Sequence, residues 1–419
     1  MNTKTIVIPH IIDQHAEEAA FLWLLRDAAV RAPHYSLKDL ADLDNRVEAH
    51  VDGLRIAGDA GWATCESALE IGEPGEVFAA SVLAFERGDG KRIDAVVNVG
   101  LAEPENFRAL VSALGWIDYR HIEGYLTNLL SANASSYRRI GIAACAIHRQ
   151  DPGAVLQRLL EDEDPLVRVR AARAAGELSR RDLLPLLRGQ ILSADEDCRF
   201  WATWSSVLLG DQSALRPLMA FVNFASPYRT RALDLALRVL DLPSAKNWLQ
   251  GLWQDPNNQR CILRGTGIIG DPYYIPALIK RMPEPEVARV CGEAFSMITG
   301  VDLAYQDLEA EWPEGFEAGP SENPEDEDVA LDPDEDLPWP EPTLIQQWWD
   351  GNKGRFQNGT RYLLGQPVTV ENCSKVLQSG FQRQRAVAAL ELALRQPGRP
   401  LFPTSAPGFR QQRLLRQGG

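Results

Sequence analysis

A glycine-rich stretch and six histidines are the residues whose types could support catalysis. The stretch GTGIIG (265–270) has the spacing of a dinucleotide-binding loop, which needs a strand before it and a helix after it. No strand pattern precedes these glycines, so a role in helix packing is favoured. No histidine lies four residues from another, the spacing of a zinc-binding helix. We therefore expect no catalytic residue, no metal site and no cofactor.

Six arginines recur at intervals of 29 to 31 residues, and we refer to them as the arginine ladder: Arg138, Arg168, Arg199, Arg229, Arg260 and Arg289. A row of guanidinium groups could bind phosphates or an acidic peptide. The alternative is that repeated charges serve the stacking of repeats. We favour the second interpretation because the positions seven residues after each arginine are all small: Cys145, Ala175, Ser206, Ala236, Gly267 and Ser296.

A period of about 30 residues with a small-residue face is typical of stacked helix pairs. Residues 61–301 are therefore predicted to form a repeat array, in which Pro165 begins one second helix. Residues 1–60 are predicted to form a helical N-terminal cap, with Ser36 capping its second helix. Gly267 falls in the small-residue column, which accounts for the glycine-rich stretch.

The repeats resemble those of a known repeat family. The stretch DEDPLVRVRAARAAGELSRRDLLPLL (162–187) is similar to a HEAT repeat of the short kind known from phycobilin lyases, and looser copies extend over roughly 76–300. The resemblance implies a right-handed α-solenoid. In such repeats an arginine near the start of the second helix bonds to acids and carbonyls at the neighbouring turns. This sequence offers such acids: Asp162, Asp164, Asp195, Asp197 and Asp255.

The chain ends resemble a narrower bacterial family, the HEAT-repeat proteins encoded beside type VI secretion spike genes. The stretches that carry this resemblance are LDNRVEAHVDGLRIAGDAGW (43–62), LPWP (337–340), WWDGNKGRFQNGTRYLLGQP (348–367) and APGFRQ (406–411). The resemblance implies a role near type VI secretion, with a spike or effector protein as partner.

The net charge of −15 is concentrated in one segment. Residues 302–341 contain sixteen Asp and Glu and no Lys or Arg, whereas 351–419 contain eleven Lys and Arg and two Glu. The first range, rich in proline and glycine, is predicted to be a disordered insertion. Its carboxylates could pair with exposed ladder arginines. The mildly acidic array disfavours a nucleic-acid binder, which needs a basic surface.

The range 342–419 is predicted to form a last helix pair and a basic tail. RYLLGQPVTV (361–370) suggests a short hairpin, Thr369 a helix cap, and FQRQRAVAALELALRQ (381–396) an amphipathic helix that ends before Pro397. The tail after Pro400 is expected to be irregular.

Cysteine usage and hydropathy point to the cytoplasm. The six cysteines form no Cys-x-x-Cys pair and are interpreted as reduced thiols. No apolar run approaches the ~18 residues of a membrane span.

Tryptophans are the candidate contacts for a partner protein: Trp348, Trp349, Trp339, Trp201 and Trp204. Trp is mostly buried in proteins, so core filling is the alternative, whereas Trp also concentrates in binding hot spots. Trp348 and Trp349 are the better candidates because adjacent helical residues cannot both face one core.

The sequence therefore predicts an all-α solenoid that acts as a non-enzymatic cytoplasmic scaffold, binding another protein through a concave face lined by second helices. Two alternatives remain open at this point. One is a lyase-type enzyme or small-molecule binder on the same scaffold, which would show a deep pocket with converging polar groups. The weaker one is a nucleic-acid binder with a basic concave stripe.

Overall fold

The chain is built almost entirely of α-helices. A computed structural model describes residues 8–222, 226–319 and 332–417, and this part of the chain contains 22 α-helices, five 3-10 helices and one two-stranded hairpin. The chain divides into two units. Unit 1 comprises Met1–Gly210, Gln378–Ala389 and Gln396–Gly419, and unit 2 comprises Asp211–Leu377 and Leu390–Arg395.

The helices of unit 1 are α1 (Pro9–Ala29), α2 (Leu37–Ala57), α3 (Asp59–Ala68), α4 (Pro74–Arg87), α5 (Gly90–Gly100), α6 (Pro104–Trp116), α7 (Tyr119–Leu130), α8 (Ser135–His148), α9 (Ala154–Leu159), α10 (Pro165–Glu177), a 3-10 helix (Arg181–Leu183), α11 (Leu184–Gln190), α12 (Glu196–Leu208) and, at the chain end, α22 (Gly408–Gln417).

Unit 2 contains α13 (Leu215–Ala220), α14 (Arg229–Val239), α15 (Leu242–Leu252), α16 (Gln259–Ile269), α17 (Ile275–Arg281), α18 (Pro285–Thr299), α19 (Pro342–Asn352), the antiparallel strands β1 (Tyr362–Leu363) and β2 (Gln366–Pro367), and most of α20 (Val370–Ser379). Its 3-10 helices are Gln212–Ala214, Pro256–Asn258, Pro272–Tyr274 and Lys353–Arg355. The residues of α21 (Gln382–Arg395) are divided between the two units.

Each unit contains successive helix pairs. In unit 1 the second helices α8, α10 and α12 pack one on the next, and α7, α9 and α11 pack on their own partners. Unit 2 repeats the arrangement with α14, α16 and α18 and with α13, α15 and α17. Contacts between sequence neighbours alone define a solenoid, and the predicted all-α solenoid is confirmed.

Small residues bring successive second helices together. A Cβ atom on Gly267 would lie 3.0 Å from the Cα of Ala294 in the next second helix, and one on Gly176 would lie 2.5 Å from Ser205 Oγ. Gly270 ends α16 in the left-handed conformation, with φ of 70°. The glycine-rich stretch is therefore part of a helix–helix contact and a helix end, as its repeat position predicts.

Aspartates begin many of these helices. The side chains of Asp164 and Asp195 accept hydrogen bonds from the backbone N–H groups of Leu166 and Cys198. Such caps satisfy N–H groups that have no partner within the helix. Two of the acids expected to pair with ladder arginines therefore cap second helices.

The last residues of the chain complete unit 1, and the expectation of an irregular tail is wrong for α22. Asp44 of α2 is fully buried; it accepts from Arg26 Nε at 3.0 Å and from the backbone N–H of Gly408 at 2.5 Å. Arg26 also donates to the carbonyl of Ser405 at 2.7 Å. We call Arg26, Asp44, Ser405 and Gly408 the terminal clasp. It orders the tail because two buried charges require these partners.

A partly buried histidine lies beside this tail. The Nε2 of His148 lies 2.8 Å from the carbonyl oxygen of Leu114, where a neutral imidazole donates. Burial, together with the charge of Arg410 on α22, lowers the pKa of His148 to about 4.

Acidification is therefore expected to destabilise unit 1. The unfolded histidine, with a pKa near ~6.5, binds its proton first, so stability declines as the pH falls from about 6.5 to about 4. We expect about 2 kcal/mol of this decline by about pH 4.5 to come from His148. Urea unfolding of the wild type and His148→Gln at about pH 7 and about pH 4.5 tests this, since the variant should show a smaller decline. An equal decline in both proteins would assign the acid sensitivity to other groups.

Candidate protein-binding site

The first three members of the arginine ladder bond to the turn that precedes their own helix. Arg168 donates to the carbonyls of Asp162 and Glu163 at 2.7 and 2.9 Å, and Arg199 donates to those of Ser193 and Ala194 at 2.7 and 3.2 Å. Arg138 does the same and also pairs with the carboxylate of Asp162 at 2.7 Å. These contacts fix the turn between the two helices of a pair and leave no row of open guanidinium groups.

The last two members reach the acidic segment instead. Arg289 is buried and pairs with the carboxylate of Asp332 at 2.7 Å, while it donates to the carbonyl of Asp334 at 2.9 Å. Arg260 pairs with the carboxylate of Asp334 at 2.7 Å. The acidic segment is thus an internal partner of the ladder in unit 2. Arg229, between the two groups, hydrogen bonds to Asn258.

Two tryptophan rings lie against the Arg289 guanidinium and, with Phe316 packed on both, form what we call the aromatic cluster: Trp312, Phe316 and Trp339. Ring centroids lie 5.2 Å apart for Trp312–Trp339 and for Phe316–Trp339, in edge-to-face geometry. The guanidinium carbon of Arg289 lies 4.6 Å from the centroid of Trp339 and 5.3 Å from that of Trp312. Cation–π attraction and ring packing therefore hold the acidic segment on α18.

The expectation of a disordered acidic insertion does not hold for its described flanks, 302–319 and 332–341. Leu303, Leu308 and Leu337 are buried, and a backbone bridge joins Glu309 to Pro340. The flanks order because apolar side chains are interspersed among the acids and because Arg289 and Arg260 offset the carboxylate charge. Residues 320–331 lie outside the described residues.

Four of the five tryptophans predicted as partner contacts are buried: Trp201, Trp204, Trp339 and Trp349. Trp349 belongs to the core of unit 2, and Trp348 is partly buried, with its ring 5.6 Å from that of Phe295 in edge-to-face geometry. Adjacent residues of α19 thus contact the same core from two sides. In the isolated chain these four tryptophans therefore fill the core, which is the alternative interpretation given from the sequence.

Polar faces of several second helices are covered by the chain itself. In unit 1, Glu177 at the end of α10 accepts from Arg173 at 2.9 Å, and its carbonyl accepts from the N–H of Leu401 at 2.9 Å. Burial raises the pKa of Glu177, but the charges of Arg173 and Arg170 outweigh it and hold the value at about 2.

In unit 2, Arg238 of α14 is buried between Asp234 and Glu391, with N–O distances of 2.9 Å to each. Burial alone would lower the pKa of Arg238, but the two carboxylates raise it. C-terminal residues thus occupy polar positions on a second helix of each unit.

The stretch 348–367 also packs on the repeats of unit 2. Buried Asp271 accepts from the N–H of Gly359 at 3.1 Å and pairs with Lys246 at 2.5 Å. Arg361 donates to the carbonyls of Leu237 and Leu240 at the end of α14, at 2.9 and 2.7 Å. The hairpin β1–β2 thereby satisfies carbonyls that have no partner within the helix. This stretch is therefore structural in the isolated chain.

An exposed aromatic surface of unit 2 lies within the acidic segment. Trp312 is 50% exposed although two rings of the aromatic cluster support it, and Tyr305 is 87% exposed. Glu309, Glu311 and Glu314 lie within three residues of Trp312 along the chain and are exposed. Sequence reasoning missed Trp312 because it lies inside the segment expected to be disordered. The available signal was an aromatic residue in an otherwise acidic, proline-rich segment.

A family model for HEAT repeats matches residues 152–238. Residues 152–238 are thus similar to HEAT repeats. The match covers α10, α12 and α14, the second helices that carry Arg168, Arg199 and Arg229. No curated protein matches the chain. HEAT repeats in general are scaffolds for protein interaction, which fits the arrangement found here.

The described residues also bear on metal binding and membrane insertion. Within the described ranges, no three His, Cys, Asp or Glu side chains are placed to hold a metal ion. Among the helices described, none is both long and apolar enough to cross a lipid bilayer.

Proposed function

We propose that this chain is a non-enzymatic scaffold that binds another protein, and that the partner docks on the surface centred on Trp312. The observation that carries the proposal is the exposure of Trp312, 50%, on a ring held in place by Trp339 and Phe316. Tryptophan is enriched among residues that dominate binding energy. A ring fixed before binding loses little conformational entropy on association.

The concave face predicted from the sequence is a less favourable location. Leu401 hydrogen bonds to the backbone carbonyl of Glu177 on α10, and Glu391 pairs with the buried Arg238 of α14. Trp201 and Trp204 are buried. A partner at these positions would first have to displace buried ion pairs, at a cost of several kcal/mol. The Trp312 surface requires no such displacement.

The charge around Trp312 indicates the chemistry of the partner. Exposed Glu309, Glu311 and Glu314 would repel an acidic surface and attract a basic one. We infer that the partner offers an apolar pocket for the indole ring with lysine or arginine at its rim. Its association should weaken as salt is added.

The resemblance of the chain ends is what supports a particular identity for the partner. On that basis we propose a protein of a bacterial type VI secretion apparatus, such as a spike or effector protein, met in the cytoplasm.

Trp312→Ala is expected to weaken partner binding at least about tenfold, in the range of a binding hot spot. Trp253→Ala is the matched control, because Trp253 is also in unit 2, is 46% exposed and has an arginine, Arg281, near its ring. Affinity capture from native cells, followed by titration of the recovered partner, gives the measurement.

The control variant should bind like the wild type. Equal binding by Trp312→Ala and the wild type would remove Trp312 as the docking residue. Recovery of a tightly bound small molecule or nucleic acid, with no stoichiometric protein, would overturn the scaffold itself.

A further inference from the structure

The second half of helix α1 carries apolar side chains on both its inner and its outer face, while Arg26 is buried and Asp27 is half-buried. Its inner face packs Leu22, Trp23 and Ala29 into the core of unit 1. Its outer face carries Phe21, Leu24 and Leu25, which are 56%, 43% and 43% exposed, followed by exposed Ala28. Positions i, i+3, i+4 and i+7 form one continuous stripe on a helix. We refer to these four outer residues as the α1 stripe.

Single exposed apolar side chains, such as Ile56 of α2, are normal on protein surfaces. A stripe of four is different, because contiguous exposed apolar patches mark interaction surfaces. The α1 stripe is therefore a candidate interaction surface.

The stripe is self-complementary. If a second α1 lies antiparallel with Leu24 against the partner's Leu25, the same register places Phe21 against the partner's Ala28, a large side chain against a small one. One turn further out, it brings Glu18 next to the partner's Arg31, which lies in the turn two residues after the end of α1. Arg31 is 58% exposed, held by Asp27 at 2.9 Å, and Glu18 is half-buried. Opposite charges thus flank the apolar contact at both ends.

We propose that a second copy of this chain covers the α1 stripe, as an antiparallel α1–α1 pair about a two-fold axis between Leu24 and Leu25. Self-complementarity of one patch is what a two-fold interface requires. The side-chain sizes and charges of the stripe are arranged symmetrically about the Leu24–Leu25 midpoint. A second copy of α1 matches this symmetry, whereas a different protein would make no use of it.

One helix pair buries little surface. An interface below about 1,200 Å² is typical of weak or transient association, so we expect a dissociation constant in the micromolar range, about 1–100 µM. The full chain should therefore be monomeric when dilute and dimeric when concentrated.

Sedimentation equilibrium of the full chain from about 1 to about 200 µM tests the proposal. Leu24→Glu should weaken the dimer at least tenfold, because it would bury a carboxylate against the partner's Leu25 on each side of the two-fold axis. Ile56→Glu is the control: Ile56 is 72% exposed on the neighbouring helix, outside the stripe, and this variant should associate like the wild type. A wild type that stays monomeric, or a Leu24→Glu variant that dimerises normally, would overturn the proposal.

A charge exchange tests the antiparallel register. Glu18→Arg and Arg31→Glu should each weaken association about threefold or more, because like charges then face each other. The double variant restores opposite charges and should recover most of the wild-type affinity. Loss in both single variants without recovery in the double variant would exclude this register, and thermal melting of each variant establishes that the monomer remains folded.

Discussion

Arg289→Ala is expected to lower the free energy of unfolding of unit 2 by about 3–5 kcal/mol and to release the flanks of the acidic segment. Arg289 is only 3% exposed, and its removal leaves the buried carboxylate of Asp332 without a cation. The rings of Trp312 and Trp339 also lose the guanidinium they pack against. Calorimetry measures the destabilisation, and hydrogen exchange over 302–319 measures the release.

Arg260→Ala supplies the comparison within the same segment. Arg260 pairs with Asp334 at 2.7 Å but is 44% exposed, so its loss should cost no more than about 1 kcal/mol. The two arginines hold the same segment, and only burial distinguishes them. Similar losses for the two variants would show that the segment is held by its apolar residues and not by the Arg289–Asp332 pair.

Asp44→Ala should destabilise unit 1 by a similar amount, about 3–5 kcal/mol. The substitution leaves the buried guanidinium of Arg26 without its carboxylate and the N–H of Gly408 without its acceptor. We expect α22 to detach before the rest of unit 1 unfolds, because the terminal clasp joins it to α2. Limited proteolysis of the tail and urea unfolding report the two effects.

An exposed pair serves as the control for the clasp. Asp59 lies 2.7 Å from Arg92 and is largely exposed, so Asp59→Ala should leave the free energy of unfolding nearly unchanged. If Asp44→Ala left both stability and the protease resistance of α22 unchanged, the terminal clasp would not be what orders the tail.

Local features of the fold were predictable because they depend on residues close in sequence. Ser36 and Asp39 form the capping box at the start of α2, Pro165 begins α10, and the hairpin at 362–367 lies where its sequence predicts. Caps, helix periodicity and turns all act over about four residues. The arginine ladder was equally visible, since the repeat length sets its spacing.

Contacts between distant residues were not predictable in this way. Nothing near Asp332 in the sequence reveals that Arg289 lies beside it, and composition alone favours disorder for so acidic a stretch. The same holds for Gly408, whose N–H donates to Asp44 although the two residues lie 364 positions apart in the sequence. For the tryptophans the sequence allowed two interpretations, because tryptophan is enriched in binding sites and also tends to be buried. Only the packing of the folded chain distinguishes the two.

The terminal clasp also constrains the order of events during synthesis. Unit 1 takes its first residues from the N-terminus and its last from Gln396–Gly419, so unit 2 is translated before unit 1 has all its parts. Domains usually fold in the order in which they leave the ribosome. Here the face of α2 around Asp44 stays uncovered until Gly408 and α22 have been synthesised. Loss of α22 would therefore expose part of the first helices of unit 1.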